Sequence, residues 1–298
     1  MFSLRPLHCL RESFHRPVVS GADGGSSATT LEIRRRLLWS CFALEGIFFT
    51  EDDDWKPQLP HDRILIPLPA SERAFALGLN GPATLLDGPP TDTTPQDVSL
   101  AATVIRLVSM RRRIMIWVQC LEDLLRRRRR FVQPHPDDQH LLPWQPRSEY
   151  HLLEEELDEV VRSMPPELAS SNLSSFARAG RLVQFVSLHC LIHSCQCLLR
   201  RFMIWTPFSP LLEFHHMMQG DDNPNEPFKD FPADAVPVDF RDRCRLTRLA
   251  HAYNMCAIIS QASGNEVSFD PFVGFTCFQG AFILCEWQGR EYLESIGR

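Results

Sequence analysis

The chain has 298 residues, 44% of them hydrophobic and 23% charged, with a formal net charge of -6. Such a length and apolar content can bury a large core, which excludes a disordered tail and fits one sizeable domain or two fused ones. The acidic balance excludes a chain whose whole surface attracts phosphate backbones, so nucleic-acid binding by these residues alone is disfavoured.

Of the ten cysteines, Cys41, Cys120, Cys190, Cys256 and Cys285 sit inside apolar helical patterns rather than at the short loop spacings of a disulfide framework. Buried free thiols in a reducing compartment are expected. Arg5, His8, Arg11, Glu12, His15 and Arg16 interrupt the first stretch, which leaves no apolar run for a signal-peptide core. Segments 182–205 and 271–285 are strongly apolar. The first carries Gln184, His189, His193, Gln196, Arg200 and Arg201, and the second is about fifteen residues long against the roughly 20 a bilayer requires. Both read as buried soluble helices, with no membrane association expected.

Residues 1–28 read as a flexible N-terminal segment that closes on SGADGGSS. Thr29 with Glu32 fits a capping box, and Ile33, Leu37, Cys41, Leu44 and Phe48 recur every three or four residues, which predicts an amphipathic helix. From Glu51 to Pro90 the chain is rich in proline and glycine, and Pro57, Pro60, Pro67 and Pro69 forbid a long helix. Leu59, Ile64, Ile66 and Leu68 are expected to pin 57–69 across a helical surface, and 80–93 is expected to be mobile. A second helix starts at Thr94 as cap, with Pro95 in the first turn and Asp97 at the positive dipole end, and runs to about Phe131. Ser148 opens a third helix that Pro165 and Pro166 close. Its buried stripe is Leu152, Leu153, Leu157 and Val161, with Glu154, Glu155 and Asp158 facing water. A long apolar helix from about Ser174 to Trp205, an acidic proline-rich loop over 206–238, and helices over 239–262 and 269–296 complete the chain. No segment alternates with strand period. The expected fold is all-α, a multi-helix domain over 29–298 with long proline-rich interhelical loops.

Four groups of residues invite a chemical reading. Arg34, Arg35 and Arg36 with Trp39 form a candidate partner or effector surface, because guanidinium groups clamp carboxylates and stack on aromatics. Against this stands a structural role in which Arg35 and Arg36 pair with Asp52–Asp54 or with loop carbonyls. The run Arg126, Arg127, Arg128, Arg129 and Arg130, with Arg111–Arg113, suits nuclear import or phosphate contact, and equally suits a helix C-terminus that its charge complements. His189 and His193 stand four apart as metal-binding imidazoles do, but no carboxylate lies between them, and core histidines explain them better. The acids Glu154, Glu155, Glu156, Asp158 and Glu159 read as a solvated face rather than acid/base machinery. No nucleophile elbow or phosphate-cradling loop occurs, so no enzymatic activity is expected.

Several segments, in order, resemble the middle region of fungal zinc-cluster regulators, the fungal-specific transcription factor domain. They are EIRRRLLWSCFALEG (Glu32–Gly46), PQLPHDRILIPLPASERAF (Pro57–Phe75), LPWQPRSEYHLLEEELDEVVRSMPPEL (Leu142–Leu168) and FVSLHCLIHSCQCLLRRFMI (Phe185–Ile204). The family's DNA reader needs six cysteines at Cys-x-x-Cys and longer intervals around two zinc ions, whereas the closest pair here is Cys195-x-Cys197. The resemblance therefore implies a regulatory domain of such a factor, N-terminally shortened and without its zinc cluster. It implies a nuclear location, a protein partner or homodimer, DNA contact only through a module absent from this chain, zinc only in that module, and a small-molecule inducer. An inducer would lie between helices near Phe269, Phe272, Phe275, Phe278, Phe282 and Trp287. Two alternatives stay open: a helical scaffold or dominant-negative partner of full-length regulators, and an all-helical enzyme of unrecognised kind.

Overall fold

A computed structural model of the chain describes residues 28–47, 64–79, 84–86, 99–129, 140–202, 236–264 and 269–296. Its α-helices are α1 (Ala28–Ile47), α2 (Glu72–Ala76), α3 (Leu100–Arg129), α4 (Glu149–Arg162), α5 (Leu173–Arg178), α6 (Leu182–Leu199), α7 (Val238–Ser263) and α8 (Pro271–Ile296). Two single 3-10 turns lie at Pro166–Leu168 and Ser170–Asn172, and no strand occurs among the described residues. The fold is all-α. Its residues divide into two compact units, one within 1–109 and 163–169, the other within 110–162 and 170–298, and α3 contributes to both. Of the expected flexible segment 1–28, Ala28 already belongs to α1; its other residues, the mobile 80–93 except 84–86, the cap at Thr94 and most of the acidic loop 206–238 lie outside the described residues.

In the second unit α6 is the core element. It is the one described helix long and apolar enough to cross a membrane, and its residues Phe185, Val186, Leu188, Cys190, Leu191, Cys195, Cys197 and Leu199 are buried. Helices α4, α5, α7 and α8 pack against it, which covers most of its surface with protein and leaves Gln184 exposed. The expected single helix from Ser174 to Trp205 is two, because the chain takes a left-handed turn at Gly180 (φ 65°), which a glycine adopts at no steric cost. Residues 203–205 fall outside the described set. Helix α8 lies against α7 at Gly280, where a Cβ would come within 2.9 Å of Cys256 Sγ and 3.2 Å of the Ala252 carbonyl oxygen. Glycine thus sets the close approach of these two helices. Helix α4 buries Tyr150, Leu153 and Leu157, while Leu152, expected in the stripe, is exposed.

In the first unit α1 is rotated from the expected face. Leu38, Trp39 and Phe42 are buried, whereas Ile33, Leu37 and Leu44 are exposed. The large rings decide the orientation: Trp39 meets Phe42 edge-on at 5.3 Å, and its Nε1 donates to the Pro67 carbonyl at 2.8 Å. An indole buries more area than any aliphatic side chain and needs an acceptor for its N–H. Glu32 occupies the same face and does not serve as a capping-box residue. Its carboxylate accepts from Arg35 (2.8 Å), Arg36 Nε (3.0 Å) and the Ala70 amide (2.9 Å).

Through these bonds α1 holds the proline-rich strap. Leu68 and Ala70 are buried, and the Leu68 amide donates to the Thr84 carbonyl at 2.7 Å. The strap contains α2, a helix not expected among so many prolines, which Ser71 caps by accepting from the Ala74 amide. Arg36 reaches Glu72 at 3.1 Å and the Ala70 carbonyl at 2.9 Å, with its guanidinium 4.3 Å from the Phe75 ring centre. At the start of α3 the Ser99 hydroxyl accepts from the Ala102 amide and donates to the Pro69 carbonyl. One serine therefore caps a helix and anchors the strap. Trp39→Phe, which keeps an apolar ring but orphans the Pro67 carbonyl, is expected to cost roughly 1–2 kcal/mol, and Trp39→Ala roughly 3–5 kcal/mol. Urea unfolding followed by far-UV circular dichroism would check this order.

Candidate functional site

A helix buried over most of its surface seldom leaves its polar side chains unpartnered, since each orphan costs about 1–3 kcal/mol. Helix α6 nevertheless carries Ser187, His193, Ser194, Gln196 and Arg200, and a neighbouring helix or its cap answers each. Ser187 Oγ donates to Asp270, which also caps α8 by accepting from the Val273 amide. His193 Nδ1 lies 2.9 Å from His251 Nδ1 on α7. Ser194 Oγ donates to Gln279 Oε1 on α8 at 2.9 Å. Gln196 Nε2 donates to Asp158 on α4 at 3.1 Å, and Arg200 pairs with Glu154 on α4. Even Cys197 Sγ donates to the Arg248 carbonyl on α7, at 3.6 Å.

The Arg200 end is the most densely built. Tyr150 is fully buried there, with ring centres of Trp117, Phe202 and Phe240 at 5.8, 6.0 and 5.4 Å. Its hydroxyl donates to Glu154 Oε1 at 3.0 Å and lies 3.4 Å from Cys244 Sγ. Burial pushes the Tyr150 phenol well above its ordinary range, against the pull of Arg200. The Arg200 guanidinium also donates to Gln196, and its carbon stands 6.0 Å from the Tyr150 ring centre. Two donors in this region, Trp117 Nε1 and Arg200 Nε, are buried without a hydrogen-bond partner. Cys190, Cys195 and Cys197 are pushed up to about 12 by burial. These thiols stay protonated at neutral pH and are poor nucleophiles. The site is thus a set of directional bonds between helices, suited to fixing how α4, α7 and α8 stand against α6.

Of the residues singled out from sequence, Arg34 is exposed, Arg35 is tied to Glu32, and Trp39 lies inside the first unit. Arg36 uses a loop carbonyl, as a structural role requires, while Asp52–Asp54 are outside the described residues. Arg126–Arg129 continue the α3 backbone and Arg130 lies outside the described set. Arg111 and Arg112 are buried, and Arg113 pairs with Glu156. His189 lies tilted against Phe185 with ring centres 4.6 Å apart, separate from the His193–His251 contact. Among the described residues no group of three or more His, Cys, Asp or Glu is placed to hold a metal. Glu155 and Asp158 face water as expected, Asp158 while accepting from Gln196, whereas Glu154 is half-buried and turned to Arg200. Cys190 is buried, whereas Cys120 and Cys285, also expected inside, are exposed. Phe272 is buried and Phe269 half-buried, whereas Phe275, Phe278 and Phe282 are exposed; the side chain of Trp287 is outside the described set. The partners Asp270, Gln279 and His251 carried no local signal. Their one mark in the sequence is polarity at a position where an apolar stripe would otherwise continue.

The histidine pair gives a pH dependence. Burial lowers His193 to about 3, with His251 and His189 adding to the effect, and lowers His251 to about 4, with Arg200 adding and Asp158 opposing. Two Nδ1 atoms at this distance share one proton, so the rings are neutral and in opposite tautomers. The unfolded chain binds protons below about 6.5 while the folded pair does not, so this stability is complete above that pH and is lost as pH falls toward 4. Each ring then costs up to about 1.4 kcal/mol per pH unit. Urea midpoints at pH 7.5, 6 and 5 should fall for the native chain, and less for the His193→Gln/His251→Gln double variant. The half-buried ion pair makes a second expectation. Arg200→Met leaves Glu154 with the Tyr150 hydroxyl but without its counter-charge and should cost about 1–3 kcal/mol, whereas Arg200→Met with Glu154→Met should recover part of that loss. A double-mutant cycle of unfolding free energies would measure the coupling.

No protein-family model and no solved structure matches the chain. Among characterised proteins, two relatives carry the name Zn(2)-C6 fungal-type transcription factor FTF1c, both from Fusarium oxysporum f. sp. lycopersici. One is 28% identical over 193 residues, which cover 59% of this chain and 19% of the relative. The other is 32% identical over 108 residues, covering 32% of this chain and 12% of the relative. The chain thus spans about a fifth or less of the length of the relatives it matches. The all-helical chain is homologous to part of a Zn(2)-C6 fungal transcription factor.

Proposed function

We propose that this chain is a helical regulatory domain of a zinc-cluster transcription regulator and acts in the nucleus, with DNA reading assigned to a module other than these residues. The observation that carries the reading is the similarity to a Zn(2)-C6 fungal-type transcription factor over more than half of the chain. The sequence supports the division of labour: none of the ten cysteines forms a Cys-x-x-Cys pair, the element a binuclear zinc cluster is built from. The net charge of -6 likewise favours a protein surface over a phosphate backbone as the chain's partner.

The mechanism is a shift in population between helix packings. Directional bonds such as Ser194 to Gln279 and Arg200 to Glu154 are made or lost as a unit, which gives discrete arrangements rather than a continuum. An effector, whether a protein surface or a small molecule, biases the balance by meeting one packing better than another. In a host cell, the chain fused to an unrelated sequence-specific DNA-binding module should change reporter output several-fold relative to the module alone, and a fluorescent fusion should accumulate in the nucleus. A fusion of equal abundance that leaves the reporter unchanged would sink the reading.

A further inference from the structure

Helix α8 has two faces. Phe272, Val273, Thr276, Gly280 and Ile283 turn inward, while Pro271, Gly274, Phe275, Phe278, Ala281, Phe282 and Cys285 are exposed. Phe275, Phe278 and Phe282 keep 54%, 68% and 41% of their surface open to solvent, and Phe278 stacks on Phe282 at 6.3 Å. No charged residue occurs between Asp270 and Glu286. A soluble surface seldom leaves three adjacent aromatic rings uncovered.

The order of large and small residues on this face indicates what covers it. Counting from Phe278, Gly274 lies four residues before and Phe282 four after, Phe275 three before and Ala281 three after, Pro271 seven before and Cys285 seven after. The face is complementary to its own reverse, since every large ring on one side of Phe278 is matched by a small residue at the same distance on the other. We infer that this face binds a second copy of the chain, α8 against α8 antiparallel, across a two-fold axis at Phe278. Each copy then sets Phe275 against the other's Ala281 and Phe282 against the other's Gly274, the isologous geometry of a two-fold dimer. An uncharged face is also where two copies of net charge -6 meet with least repulsion. The exposed rings and their small neighbours amount to roughly 400 Å² per copy. That is below the roughly 800 Å² per partner of a stable complex, so the dimer is weak and reversible. This inference stands on the surface alone and does not depend on the transcriptional reading.

Sedimentation of the full chain between about 1 and 200 µM should show a monomer–dimer equilibrium with a dissociation constant in roughly the micromolar range. Phe278→Glu should leave only monomer, with an unchanged far-UV spectrum and unfolding midpoint because the position is exposed. Phe275→Glu and Ala281→Lys should each weaken association alone, and their mixture should associate more tightly than either, because antiparallel pairing sets the glutamate of one beside the lysine of the other. The inference is overturned if the native chain stays monomeric throughout, including the case in which it binds neutral phosphatidylcholine vesicles instead. A dimer indifferent to Phe278→Glu, or a mixture that recovers nothing, overturns it equally.

Discussion

The second unit depends on one constraint: a helix apolar enough to be buried over most of its surface still carries polar groups at nearly every turn. Without partners, Ser187, His193, Ser194, Gln196 and Arg200 would cost together more than a domain's usual net stability of about 5–15 kcal/mol can spare. With Asp270, His251, Gln279, Asp158 and Glu154 in place, the same groups fix the axial position of each surrounding helix. Apolar packing alone tolerates small slides between helices, whereas a hydrogen bond that fails by an ångström is lost. Register is therefore held by the polar contacts and stability by the apolar ones around them.

Much of the fold was legible because its signals are local. Helix spans from capping and breaking residues fall within a few positions of those observed, as for α4 after Ser148 and before Pro165, or α7 and α8 on either side of residue 264. Which face each helix buries was less legible, since it depends on distant residues. On α1, Ile33, Leu37 and Leu44 make an apolar stripe as regular as Leu38, Trp39 and Phe42, and only the Pro67 acceptor and the Ala70 amide explain why the second stripe turns inward. On α4 the charge of Glu154 suggested solvent, and its burial follows from Arg200, forty-six residues away in sequence. A helical period shows that a helix has two sides. It does not show which side its partners will need.

The two units solve the same problem in different ways. In the first, a carboxylate on α1 gathers two arginines and a backbone amide, and a tryptophan N–H fixes a proline carbonyl, so that a segment unable to pair its own backbone is held by side chains. In the second, helices satisfy their own backbones and the side chains are free to bond across helices. Both give contacts that are made or broken rather than gradually stretched.

Helix α8 joins interior and surface. By hydrophobicity alone its phenylalanines belong inside, yet the inward face carries Thr276 and Gln279 and is led by Asp270, while Phe275, Phe278 and Phe282 face out. The inversion follows from α6: Ser187 and Ser194 require acceptors, and presenting Asp270 and Gln279 to them turns the aromatic stripe to solvent. The apolar area left open on α8 is then offset against hydrogen bonds completed in the core. Anything that covers the stripe grips the helix that supplies those acceptors, so an event on the outer face of α8 bears directly on the bonds that hold α6 in register.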